Sequence, residues 1–76
     1  MTALPDHLTP ERWMHHLFSA KAAREGGVVR RQYRDVERIV GLEHFAREIR
    51  RRGYRAAING DQIVVFCNRE DVRVIE

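Results

Sequence analysis

Apolar and polar positions along the chain alternate between helical and strand-like periods. Trp13, Met14, Leu17 and Phe18 recur at helical spacing, which predicts a helix with one apolar face. Thr9-Pro10-Glu11 reads as its start, with a capping hydroxyl, a proline at the first helical position and a carboxylate at the positive end of the dipole. The helix is expected to run to about Arg24 and to stop at Gly26-Gly27. Val28 to Tyr33 carries β-branched residues after this turn signal and predicts a short strand. In that strand Val29 and Tyr33 face one side with Arg31 between them, and Arg30 and Gln32 face the other.

Asp35 is suited to cap a second helical region. Val36, Ile39 and Val40 form one apolar stripe, and Leu42, Phe45, Ala46 and Ile49 form another. The two are slightly out of phase, so a break is expected at Gly41, and Gly53 is expected to end the second part. Asn59-Gly60 then predicts a tight turn with Ile58 opposite Asp61, Ala56 opposite Ile63 and Tyr54 opposite Val65. Tyr54, Ala56, Ile58, Ile63, Val65 and Cys67 share the face expected to be core, and the helix of Phe45 and Ile49 should lie on it. Arg55, Ala57, Gln62, Val64 and Phe66 share the other. Val64 and Phe66 are too apolar for open water, which points to cover from the N-terminal helix or from a partner. Val72 to Ile75 suggests an added short edge strand.

The expected architecture is therefore α+β: an N-terminal helix followed by β-α-β-β with a small antiparallel sheet. Residues 1–8 read as a loose leader and residues 9–76 as one domain. The core is expected to comprise Trp13, Leu17, Val29, Val36, Ile39, Val40, Phe45, Ile49, Ile58, Ile63 and Val65.

Size and composition narrow the functional classes. At 76 residues nearly every large apolar side chain is needed for folding, and a large enzyme scaffold does not fit. Cys67 is the only cysteine, which excludes an intrachain disulfide and a cysteine-rich metal site. No apolar run approaches the ~20 residues of a membrane span. With Asp6 and Glu11 and no apolar stretch, the N-terminal segment does not resemble a secretory signal, so a cytoplasmic location is expected. The net charge of +3 is unevenly spread: residues 24–55 hold ten arginines against five acids. Thirteen arginines stand against one lysine, a bias that suits phosphate or carboxylate binding and that a GC-rich genome would also produce.

Most candidate chemistry has a plainer reading. His15 and His16 are adjacent, about 100° apart on a helix, and lack the i, i+4 partner a helical metal site needs. Cys67 falls on the predicted core face, where cysteine is an inert small hydrophobe. Glu43/Arg47 and Glu48/Arg52 read as i, i+4 ion pairs. Gly26-Gly27 has no phosphate-loop pattern around it. Neither catalytic residue, cofactor, metal nor small-molecule substrate is expected.

The run HLFSAKAAREGGVVRR, followed by RDVERIVG and RRRGYRAAINGDQIVVFCN, resembles a family of small bacterial open reading frames over roughly residues 16 to 73. Members often carry the name phosphoribosylanthranilate isomerase, but that enzyme is a barrel of about 200 residues or more. The resemblance thus implies a family without an established function, and it transfers no catalytic residue. In topology, a helix with a basic last turn, an aromatic and a hairpin resembles βαββ RNA-binding folds, including toxins of the HicA type. Those use a histidine early in the second hairpin strand; here Gly60-Asp61-Gln62-Ile63 has none, so only the fold analogy carries over.

Two functions remain as expectations. One is a non-catalytic accessory or regulatory module acting by protein association, including homodimerisation, through Met14, Phe18, Val64 and Phe66. The alternative is RNA or DNA binding by arginine clusters at Arg30, Arg31, Arg34 and at Arg50, Arg51, Arg52, Arg55, with Tyr54 for base stacking.

Overall fold

Thr9 opens the first helix as its sequence suggests: its side chain accepts a 3.2 Å hydrogen bond from the Arg12 amide, and Pro10 takes the first helical position. The structure, a computed structural model, describes residues 9–76, and the leader expected over residues 1–8 lies outside them. The elements are α1 (Pro10–Ser19), α2 (Lys21–Arg24), β1 (Val28–Gln32), α3 (Tyr33–Ile39), α4 (Leu42–Arg52), β2 (Arg55–Asn59) and β3 (Gln62–Phe66). They form an α+β fold around one three-stranded antiparallel sheet of order β1-β3-β2.

Several boundaries differ from the periodicity alone. The first helix does not run unbroken to Arg24: Ala20, at ψ 148, interrupts it, and the short α2 brings Ala23 into the core. Tyr33 is not in the strand but opens α3, its amide donating to the Asp61 carbonyl at 2.8 Å. Asp35 consequently sits inside the first turn and is not the cap, a position held by Gln32. The break at Gly41 separates α3 from α4 as expected.

Gly53 ends α4 at φ 77, and its amide donates to the Arg50 carbonyl while that of Tyr54 donates to Ile49, both at 3.0 Å. This is the Schellman arrangement, which requires a left-handed residue. A side chain at Gly53 would also meet Arg69 at 3.2 Å. Gly53→Ala should therefore lower unfolding free energy by about 1–2 kcal/mol, measurable by thermal melting.

The hairpin loop is Gly60-Asp61, one residue later than predicted, with Asn59 opposite Gln62, Ile58 opposite Ile63 and Ala56 opposite Val65. Gly60 has φ 61, the glycine-first geometry of a type II′ turn. Because the register differs by two residues, the two faces keep their expected membership. Residues 72–75 add no strand; Val74 is 83% exposed and Ile75 fully so.

All helices lie on one face. The buried cluster joins Met14 and Leu17 of α1, Ala23, Val36, Phe45 and Ile49 to Val29, Ile63, Val65 and Cys67 of the sheet side. Trp13 meets Phe45 edge-on, with ring centroids 6.4 Å apart. The helices thus leave the Val64/Phe66 face without helical cover. Trp13, Ile39 and Val40 are half-buried, and Ile58, expected in the core, is exposed.

Candidate functional site

The exposure of Ile58 follows from how much sheet the helices can cover. α4 lies over β3 through Phe45 and Ile49, and α1 packs on one flank of α4 through Trp13. A helix about 10 Å wide spans roughly two strands at 4.8 Å spacing, so the third strand is left bare. Every residue of β2 is exposed, and Ile58 is 60% accessible where its cross-strand neighbour Ile63 is 3% accessible.

Between α4 and β2 this leaves an open groove of about 690 Å³. Leu42, Ala46 and Arg50 form its helical wall, Ala56 and Ile58 its strand wall, and Phe45, Ile49 and Ile63 its floor. Ala46 and Ala56, facing each other across it, are its smallest apolar lining residues with Ala57. The groove runs alongside the outer edge of β2, which no other strand occupies.

The expected sites are not assembled as the spacing suggested. Met14 is buried in the core and Phe18 is half-buried, its ring 5.9 Å from that of Tyr54 and 4.0 Å beneath the Arg52 guanidinium. Both belong to the covered side, so they form no common surface with Val64 and Phe66. Tyr54 is likewise packed against the core rather than presented for stacking.

Arg30 and Arg31 on β1 and Arg55 on β2 lie at opposite edges of the sheet, while Arg34 is in α3 and Arg50, Arg51 and Arg52 form the last turn of α4. Arg51 makes two hydrogen bonds to Glu48 at 2.8 and 3.1 Å, and Arg52 lies 3.8 Å from the same carboxylate. Arg55 stands 3.6 Å from Asp71, and the Arg31 guanidinium donates to the Arg30 carbonyl at 2.6 Å. Arg34 is exposed in the first turn of α3, and Arg50 lines the groove. Only Arg30 and Arg55 share the open face, in the rows Val28–Phe66–Arg55 and Arg30–Val64–Ala57.

Glu48 forms the ion pair with Arg52 read from the sequence, but Glu43 and Arg47 form none among the described residues. The hydrogen bond from Arg51 holds the Glu48 carboxyl below its ordinary range. A depressed carboxyl contributes stability above its unfolded pKa and loses it as pH falls through the folded value. Glu48→Gln should therefore reduce stability slightly at neutral pH, with the difference from wild type disappearing in acid, as urea midpoints across pH would register.

Cys67 is buried and desolvation raises its thiol pKa. It should react slowly with an aromatic disulfide reagent at neutral pH, and quickly once urea unfolds the chain. His15 and His44 line one crevice with Glu11 and Glu48 between α1 and α4. Among the described residues no three His, Cys, Asp or Glu side chains are grouped closely enough to hold a metal ion, and no helix is long and apolar enough to cross a membrane.

The arrangement defines a small α+β domain with a one-sided sheet, a bare edge strand and an apolar groove beside it. No protein-family model, curated protein or solved structure matches the chain.

Proposed function

We propose that this chain is a non-catalytic cytoplasmic accessory or regulatory module that acts by protein association, and that its docking site is the groove between α4 and β2. The observation that carries the reading is the exposure of Ile58 beside Ala56 and Ala46, on the sheet face that elsewhere forms the core. Apolar surface of this kind, next to unpaired strand backbone, is what strand- or helix-adding partners use. The docking residues are then Leu42, Ala46, Ala56 and Ile58, in place of Met14, Phe18, Val64 and Phe66.

The test is photo-crosslinking in cells from a benzophenone side chain placed at Ile58 or Ala46, with Arg30 as the comparison position. A discrete protein adduct from the groove positions, absent at Arg30, is expected. Adducts from Arg30 alone would overturn the reading.

RNA or DNA binding is the second reading. It is favoured by Phe66 lying half-buried on the uncovered face, with Arg55 beside it and Arg30 on the next row. It predicts binding of short single strands that collapses between low and moderate salt and weakens in Arg30→Ala. Fluorescence anisotropy would measure both.

A further inference from the structure

We infer that the occupant of the groove is a second copy of this chain, paired edge to edge through β2 about a two-fold axis at Ala57; the inference rests on reading the groove as an association site. The two sheet edges differ in how they are guarded. β1 carries Arg30 and Arg31, and charge on an edge strand opposes pairing with another chain. β2 has one charge, Arg55 at its first position, which lies 3.6 Å from Asp71, and then presents Ala56-Ala57-Ile58 with no charge, proline or bulge in that run. An unguarded edge of this composition is ordinarily covered in the native assembly.

Backbone geometry selects the pairing. The two-residue loop makes Asn59 and Gln62 a hydrogen-bonded pair, and the pattern alternates along the ladder. Arg55, Ala57 and Asn59 are therefore bonded to β3, while the amides and carbonyls of Ala56 and Ile58 point to the free edge. A second β2, antiparallel and centred on Ala57, sets Ala56 of each copy opposite Ile58 of the other, and all these groups are satisfied reciprocally.

The side chains fit the same axis. Ile58 of each copy enters the other's groove over Ala56, a large residue beside a small one. The two-fold also reverses α4, so the Glu43 end of one copy lies toward the Arg50 end of the other. Neither Glu43 nor Arg50 is in an ion pair among the described residues, which leaves both for this contact. Such a self-complementary patch is what a two-fold dimer requires.

Sedimentation equilibrium from micromolar to millimolar loading, with variants of the β2 edge and two controls, tests the inference. The wild type should be a reversible dimer. Each dimer buries Ile58 twice, and one buried isoleucine corresponds to about tenfold or more in affinity, so Ile58→Lys should weaken it at least about 100-fold. Ala56→Pro removes an amide aimed only at the free edge and should also give monomer. Ala57→Cys places two thiols at a non-hydrogen-bonded pair, where Cα atoms lie about 4.5 Å apart, within disulfide reach. Its exposed position spares the fold. Rapid oxidation of Ala57→Cys to a covalent dimer, and not of Arg30→Cys, is expected. A wild type that stays monomeric at every loading overturns the inference. So does a dimer untouched by Ile58→Lys and Ala56→Pro, or one lost only when residues 72–76 are removed, which would assign the contact to the Val72–Ile75 segment. Groove crosslinks to a different protein from a strictly monomeric chain would sink the inference and leave the association reading standing; no groove crosslink of any kind would sink that reading.

Discussion

Replacing Phe45 with alanine should lower unfolding free energy by about 3–5 kcal/mol, the usual cost of removing a buried aromatic side chain. Phe45 is 3% accessible, sits in the cluster with Ile49, Ile63 and Val65, and makes an edge contact with the Trp13 ring. Its loss leaves a cavity below α4 and also unseats α1, which Trp13 ties to α4. A chain of this size has about 4–11 kcal/mol in total, so the variant should be partly or wholly unfolded at 37 °C. Trp13 is the single tryptophan and reports directly from the contact. Its emission should shift to the red, and the urea midpoint should fall steeply. An unfolding free energy lowered by less than about 1 kcal/mol would mean that α4 is not seated on the sheet as described.

The second large effect is a contrast between two isoleucines directly opposite each other in the hairpin. Ile63→Ala should cost about 2–5 kcal/mol, because Ile63 is fully packed beneath α4. Ile58→Ala, measured in dilute protein, should cost less than about 1 kcal/mol, because its side chain already faces water. Paired chemical denaturation of the two variants decides it. Equal costs would put Ile58 in the core and close the groove; a large difference keeps the groove open in the isolated chain.

That contrast also marks where the sequence stops being legible. Local signals were sufficient for local structure: the Thr9-Pro10 cap, the Gly41 break and the Gly53 terminator each act through a few neighbouring residues, and each is found in place. The alternation of Ile63, Val65 and Cys67 placed these residues correctly in the core because β3 is central and covered. The same alternation misplaced Ile58. Period two says which face a residue is on, not whether another element lies over that part of the face. Asn59-Gly60 and Gly60-Asp61 both contain the glycine a tight turn needs, so local signals alone place the turn one residue early. A helix face of four large residues has two flanks, and only packing decides that Met14 is buried and not part of a surface. Sequence distance likewise ignores that β3 inserts between β1 and β2, which sets Arg30 and Arg31 apart from Arg55.

The groove was beyond reach for a related reason. Its lining comes from Leu42, Ala46, Ala56 and Ile58, which are ordinary core-type residues, and what makes it a site is the absence of cover over β2. The one available hint was the small-residue pair Ala56-Ala57 before the turn, set against the bulky run Val64-Val65-Phe66 on the returning strand.

Amide chemical shifts of isotope-labelled protein across a dilution series, repeated with mixed short RNA and DNA at low and moderate salt, separate self-association from nucleic-acid binding. Pairing through β2 gives concentration-dependent shifts confined to residues 42–50 and 56–58, insensitive to nucleic acid. Shifts that do not depend on protein concentration, and that appear around Arg30, Val64 and Phe66 when nucleic acid is added at low salt, would contradict it.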